Sequence, residues 1–152
     1  MIKVMFVCHG NICRSTMAEF LFRDMVDKKG VGDRFIVASS ATSREEIGNG
    51  VHYGTRKVLD RFGIDYSKKR AVQLTRADLD KYDYFIGMDD ANVRNMTRIL
   101  GDREKVFKFL DFAGENRSIA DPWYTGDFEE TYRDVIKGCK GFLAYLEEEG
   151  KI

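Results

Sequence analysis

The chain has 152 residues, 25 basic and 25 acidic, so its formal charge is zero; 43% are hydrophobic, 33% charged and 12% aromatic. That mixture excludes a disordered chain and supplies one domain, residues 1–152, with one core. A neutral balance lacks the basic face with which nucleic-acid and membrane-surface binders displace counterions, so neither class of partner is expected.

Ile2–Val7 is an apolar run that reads as a strand. The longest apolar stretch near the start, Val4–Cys8, is far shorter than the roughly 20 residues of a membrane span and lacks the length of a signal-peptide core. A stretch of helical period follows at Ser15–Lys29, stopped by Gly30. Arg34–Ala38 reads as a second strand and Val51–Phe62 as a helix that ends at Gly63. Thr75 and Asp78 have capping-box spacing, which predicts a helix over Arg76–Tyr82. Tyr84–Met88 is a third strand, Ala91–Leu100 a helix closed by Gly101, and Val106–Leu110 a fourth strand. Asp127 and Glu130 repeat the capping spacing before a long helix at Phe128–Glu148. Strand and helix in alternation imply a parallel sheet with right-handed crossovers, hence a small doubly wound α/β domain with helices on both faces. Cys139 falls in the last helix and reads as core; three cysteines make no disulfide framework, which with the lack of a leader predicts a cytoplasmic protein.

In such sheets ligands collect beyond the carboxyl ends of the strands, so the loop after the first strand is the place to look. It reads Cys8-His9-Gly10-Asn11-Ile12-Cys13-Arg14-Ser15: a cysteine, five residues, an arginine, then a serine at a helix start. A loop of that length can curl around one tetrahedral oxyanion, with backbone amides and the helix N-terminus facing it. Gly10 and Asn11 tolerate the left-handed backbone such a curl needs, and Arg14 can fork onto two phosphate oxygens. Cys8 then lies beneath the anion, where a helix N-terminus and an arginine favour the thiolate, and Ser15 can donate its hydroxyl to the sulfur. A dyad of Cys8 with His9 is disfavoured because neighbours on a curled loop point in different directions. A zinc site from Cys8, Cys13 and the two histidines matches no usual ligand spacing, and Arg14 would oppose the cation. Cys13, five residues on beside Arg14, is expected to keep thiolate character and to form a reversible disulfide with Cys8 under oxidants.

These residues resemble the signature loop of the low-molecular-weight protein tyrosine phosphatases. Met88-Asp89 with Asn92, and Asp121-Pro122-Trp123-Tyr124, are similar to further motifs of that family in the same order. The resemblance implies a four-stranded parallel sheet of order 2-1-3-4, no metal and no cofactor. It also implies hydrolysis of phosphotyrosine, on a protein or as a small aryl phosphate, with inorganic phosphate as product. It assigns Cys8 as nucleophile, Arg14 as phosphate ligand and Asp121 as general acid and then base. Pro122 would hold the residue before it extended, which suits a carboxyl at a loop tip. By the same resemblance Ile12, Trp123 and Tyr124 line the substrate slot, and Asn11, Ser15 and Ser40 form the polar network that supports the loop. A histidine often joins that network before the segment matching Gln73-Leu74-Thr75; Lys69 stands there in this chain. Ser43-Arg44-Glu45-Glu46 lies where some members carry an aromatic specificity residue, which makes the third wall more polar here.

Three rivals share parts of this pattern. Arsenate reductases of the fold need two further cysteines in mid-chain, and none lies between Cys13 and Cys139. Sugar-transport phosphocarriers also present a cysteine after strand one, but need neither Arg14 nor Asp121; a binding domain that had lost catalysis would need none of the three groups. Family members that act on phosphoarginine carry threonine where this chain has Ile12, so phosphotyrosine is expected to be the better substrate.

Overall fold

Alternation along the first apolar run decides how the chain layers. In the computed structural model, which describes residues 1–152, strand β1 (Ile2–Cys8) sends Val4, Phe6 and Cys8 into one core and Met5 and Val7 into another. That is the two-residue period of a strand, and burial of both sets requires cover on both faces. Strands β2 (Phe35–Ala41), β3 (Tyr84–Gly87) and β4 (Val106–Lys108) complete a four-stranded parallel sheet of order β2-β1-β3-β4. The expected fold and strand order are the observed ones.

Five helices cover it: α1 (Arg14–Lys28), α2 (Tyr53–Asp60), α3 (Asp90–Leu100), the single turn α4 (Pro122–Thr125) and α5 (Phe128–Glu148). Helices α1, α2 and α5 build the larger core, where Phe22 meets Phe6 edge-on at 5.7 Å and Phe142 at 5.4 Å. Truncating such a buried ring to alanine costs about 3–5 kcal/mol. Helix α3 lays Met96 and Leu100 over Met5 and Val7 on the opposite face. No helix is long and apolar enough to cross a membrane.

Four elements differ from expectation by two residues or more at an end, each for a local reason. Strand β2 runs on through Ser39, Ser40 and Ala41 because these pair with Phe6, Val7 and Cys8 of β1; pairing outweighs the weak strand preference of serine. Arg76–Asp80 is a 3₁₀ turn rather than a helix to Tyr82, opened by Asp78 accepting from the Thr75 amide at 2.9 Å. Strand β4 stops at Lys108, and Phe109–Ala113 turns as 3₁₀. Helix α2 is shorter than Val51–Phe62, starting where His52 caps it through Nδ1.

Candidate active site

The carboxyl end of β1 leads straight into the loop Cys8–Cys13, and α1 begins at Arg14. Asn11 alone among the non-glycine residues has a left-handed backbone, at φ 59°; this conformation is tolerated by asparagine and strained for most others. Its amide donates to Cys8 Sγ at 3.3 Å, which closes the curl over the sulfur. Neighbouring segments hold the curl from outside. The amides of Thr42, Ser43 and His52 donate to the carbonyls of Cys8, His9 and Ile12 at 3.0, 3.0 and 2.9 Å. The Cys13 carbonyl accepts Thr55 Oγ1 at 3.0 Å.

A directed chain of hydrogen bonds supports the sulfur. Asn11 Nδ2 donates to Ser15 Oγ at 2.8 Å and to Ser39 Oγ at 2.9 Å, while its Oδ1 accepts the Val72 amide at 3.1 Å. With both amide protons given away, the hydroxyls of Ser15 and Ser39 must point elsewhere. Ser39 donates to Glu19 Oε1 at 2.5 Å, and Ser15 Oγ, 3.0 Å from Cys8 Sγ, has its proton free for the sulfur. Glu19 is buried and accepts Arg23 Nη2 at 2.7 Å. Lys69 Nζ donates to the Ser39 carbonyl at 2.9 Å and lies 3.8 Å from Glu19 Oε1. Burial holds the Lys69 ammonium below its ordinary range, while Glu19 and Cys8 oppose that shift. Lys69 thus occupies the network.

The serine expected in this network was Ser40, and that is corrected. Successive strand residues face opposite sides, so only one of the pair can meet Asn11. That residue is Ser39, and Ser40 Oγ is buried with no protein partner.

Arg14 is 2% exposed. Its Nη1 donates to Asp89 Oδ2 at 2.8 Å and to the Ile119 carbonyl at 2.9 Å; its Nη2 lies 3.3 Å from Asp121 Oδ2. Burial works against the guanidinium charge, but Cys8, Asp89 and Asp121 outweigh it and raise the group further. Asp121 has extended backbone and Pro122 opens α4 behind it, as the dipeptide implied. Its Oδ1 caps α4 by accepting the Trp123 amide at 3.0 Å, which leaves Oδ2 to face Arg14.

These groups line one slot of about 110 Å³. Cys8, Gly10, Ile12, Cys13 and Arg14 of the loop line it together with Asp121, Trp123 and Tyr124. Trp123 and Tyr124 are 58% and 84% exposed, a large aromatic surface left open to a ligand. Glu45 and Glu46 add a polar part to the lining, and so does His9, whose Nε2 lies 3.0 Å from Glu45 Oε2. The expected thiolate character of Cys13 is overturned. Burial first, then the charges of Cys8 and Asp121, push its thiol well above the ordinary value, and Arg14 does not offset them.

Sequence reasoning missed Glu19 and Ser39, and gave Asp89 no chemical role. Glu19 did leave a trace: it interrupts the apolar run Met17-Ala18-Glu19-Phe20-Leu21-Phe22 four residues after Ser15, on the same helix face.

The family described as low molecular weight phosphotyrosine protein phosphatase matches residues 3–152. The low molecular weight protein-tyrosine-phosphatase YfkJ of Bacillus subtilis is 38% identical over the whole of both chains. The low molecular weight phosphotyrosine protein phosphatase of Schizosaccharomyces pombe is 38% identical over 93% of this chain and 95% of its own. The crystal structure of YfkJ superposes with a TM-score of 0.92 at 39% identity, covering 98% of this chain and 96% of that one. That of the low molecular weight protein tyrosine phosphatase from Streptococcus pyogenes superposes at 0.85 with 43% identity, over 96% and 93%. With a match across nearly its whole length and a cysteine, arginine and aspartate gathered in one slot, the chain belongs to the low-molecular-weight protein tyrosine phosphatase family.

Proposed function

We propose that this chain, acting as one catalytic domain in the cytoplasm, hydrolyses phosphotyrosine in proteins and small aryl phosphates through a phosphocysteine on Cys8. The observation that carries the reading is the grouping of Cys8, Arg14 and Asp121 in one slot that Trp123 and Tyr124 also line. A phosphoryl group entering the slot takes the fork of Arg14 and displaces Asp121 from it, a separation made easy by the loose 3.3 Å contact. Cys8 Sγ attacks phosphorus; the S–P bond forms as the ester P–O bond breaks, and the Asp121 carboxylic acid gives its proton to the leaving phenolate. Asp121, now a carboxylate, takes a proton from water, whose oxygen attacks phosphorus as the S–P bond breaks. Inorganic phosphate leaves, and the Ser15 hydroxyl, 3.0 Å from the sulfur, steadies the thiolate both before attack and on departure.

Ile12 offers the slot an aliphatic surface and no hydroxyl, which suits a flat ring better than a guanidinium; a serine phosphate is too short to reach Cys8 past the aromatic walls. The test is a side-by-side assay of phosphotyrosine, phosphoserine, phosphoarginine and arsenate, with Cys8→Ser as the inactive control. Phosphotyrosine should be turned over well above phosphoarginine and phosphoserine hardly at all. Comparable kcat/KM for phosphoarginine would overturn the substrate assignment, and an Ile12→Thr variant that gained no arginine activity would remove position 12 as its cause.

A further inference from the structure

Behind the Trp123 wall of the slot, a second concavity of about 580 Å³ opens between the start of α2 and the turn joining α4 to α5. Its surface is aromatic and exposed: Tyr53, like Trp123, is 58% accessible. The His52 ring fixes its shape, stacked 4.7 Å from Tyr53 and 5.1 Å from Phe128, with Trp123 edge-on at 5.7 Å. Gly54 lets α2 lie this close, since a Cβ there would overlap the Phe128 ring.

The groove's charged lining is two bases, Lys57 and Arg61, and two acids, Asp127 and Glu129. His52 Nδ1 accepts the Gly54 amide at 3.1 Å, so the neutral ring carries its proton on Nε2, which has no protein partner. Burial, then Arg56, holds the imidazole below its ordinary range and favours that neutral form. Lys57, one turn on from Tyr53, sets its ammonium 5.5 Å from that ring's centroid, and no carboxylate lies within salt-bridge distance of it. Glu129 is neutralised by Arg61, and Asp127 is held at the start of α5, where its Oδ1 accepts the Glu130 amide at 2.9 Å. Glu45 and Glu46 line the slot itself, and Glu46 lies near enough to His52 to oppose the lowering of its pKa.

We infer that this groove is a subsite for an acidic side chain flanking the phosphotyrosine of a peptide substrate, with its carboxylate on Lys57. The inference rests on the phosphotyrosine reading above. A phosphotyrosine ring set against Trp123 must carry its neighbouring residues across one side of the mouth or the other. Glu45 and Glu46 repel an acid held over the slot; Lys57 and the His52 Nε2–H receive one in the groove. Because Lys57 is exposed, the preference is modest, about two- to fivefold in kcat/KM.

The experiment uses the full chain and its Lys57→Ala and Lys57→Glu variants. The substrates are p-nitrophenyl phosphate and three phosphotyrosine peptides that differ only in having Asp, Ala or Lys on both sides of the phosphotyrosine. Wild type should rank the peptides Asp over Ala over Lys, with the spread shrinking as salt is added. Lys57→Ala should flatten the ranking and Lys57→Glu should reverse it. All three proteins should hydrolyse p-nitrophenyl phosphate alike, since it has no flanks. A flat ranking in wild type, or one that Lys57→Glu leaves unmoved, overturns the subsite. Failure of wild type to hydrolyse p-nitrophenyl phosphate overturns the phosphatase reading instead.

Discussion

Asp89 Oδ2 accepts Arg14 Nη1 at 2.8 Å, and the same carboxylate's Oδ1 accepts the Asn92 amide at 2.7 Å, so the cap of α3 is also the anchor of the arginine proposed to hold phosphate. With Nη1 committed to Asp89 and the Ile119 carbonyl, only the other edge of the guanidinium is left for a ligand. Asp89→Asn keeps a capping oxygen but removes the charge that steers Arg14. It should lower kcat/KM on any phosphate monoester about tenfold or more, the scale of a charge-assisted hydrogen bond. Weaker competitive inhibition by inorganic phosphate should accompany the loss. Unchanged kinetics and phosphate inhibition would remove Asp89 from this role.

Asp121 should matter in proportion to the leaving group's need for a proton. Asp121→Asn is expected to cost on the order of 10²–10⁴ in kcat on phosphotyrosine. The loss on p-nitrophenyl phosphate, whose phenolate leaves readily, should be much smaller. Equal losses would assign Asp121 to capping α4 alone.

Lys69 acts at a distance, through Glu19 and Ser39. Lys69→Met removes the donor to the Ser39 carbonyl and the cation beside Glu19. The expected result is a fall in kcat of about three- to tenfold with KM little changed, the scale of one hydrogen bond in a network. Lys69→His, which restores a donor there, should recover most of it. A loss shared by both variants, or one confined to KM, would argue for simple packing.

Cys13 is a buried thiol rather than a thiolate. Alkylation near neutral pH should therefore modify Cys8 and spare Cys13 and Cys139. Mild peroxide should oxidise Cys8 to the sulfenic acid, from which the Cys13 sulfur displaces water to give the Cys8–Cys13 disulfide. Cys13→Ala should then leave Cys8 open to irreversible sulfonic acid; peptide mapping that found sulfonic acid in wild type too would discard the protective disulfide.

The same burial has a signed effect on stability. Cys13 and Cys139 are both raised, Cys13 by burial with Cys8 and Asp121 adding, Cys139 by burial alone. The folded chain thus keeps protons that the unfolded chain loses above the ordinary thiol value of about 8.5. Their stabilising contribution is full below that pH and declines as pH rises through it. The melting temperature should fall between pH 8 and 10, less steeply in Cys139→Ala than in wild type. Equal slopes would exclude Cys139 as a cause.

The sheet, its order and the anion loop could be read in advance because their determinants are contiguous: Val4–Val7 buries both faces, and the Cys8–Ser15 loop follows directly. What could not be read depends on partners remote in sequence. Whether Ser39 or Ser40 meets Asn11 is a question of pleat, and it is settled by pairing with β1. The short turn Pro122–Thr125 has too few residues for any period to register. Cys13 misled because Arg14 next to it suggested ionisation, while the desolvation that prevails comes from the tertiary packing around Ile12, Cys13 and Ala71.

The anion loop is gripped from outside mainly by main-chain amides, those of Thr42, Ser43, His52 and Val72. A main-chain amide survives every substitution except proline. Side chains in those flanking segments, including the rim at Ser43–Glu46 and the groove residue His52, can therefore change without loosening the cradle they hold. Such a design lets mutation explore new substrate preferences around a reaction centre whose shape stays constant.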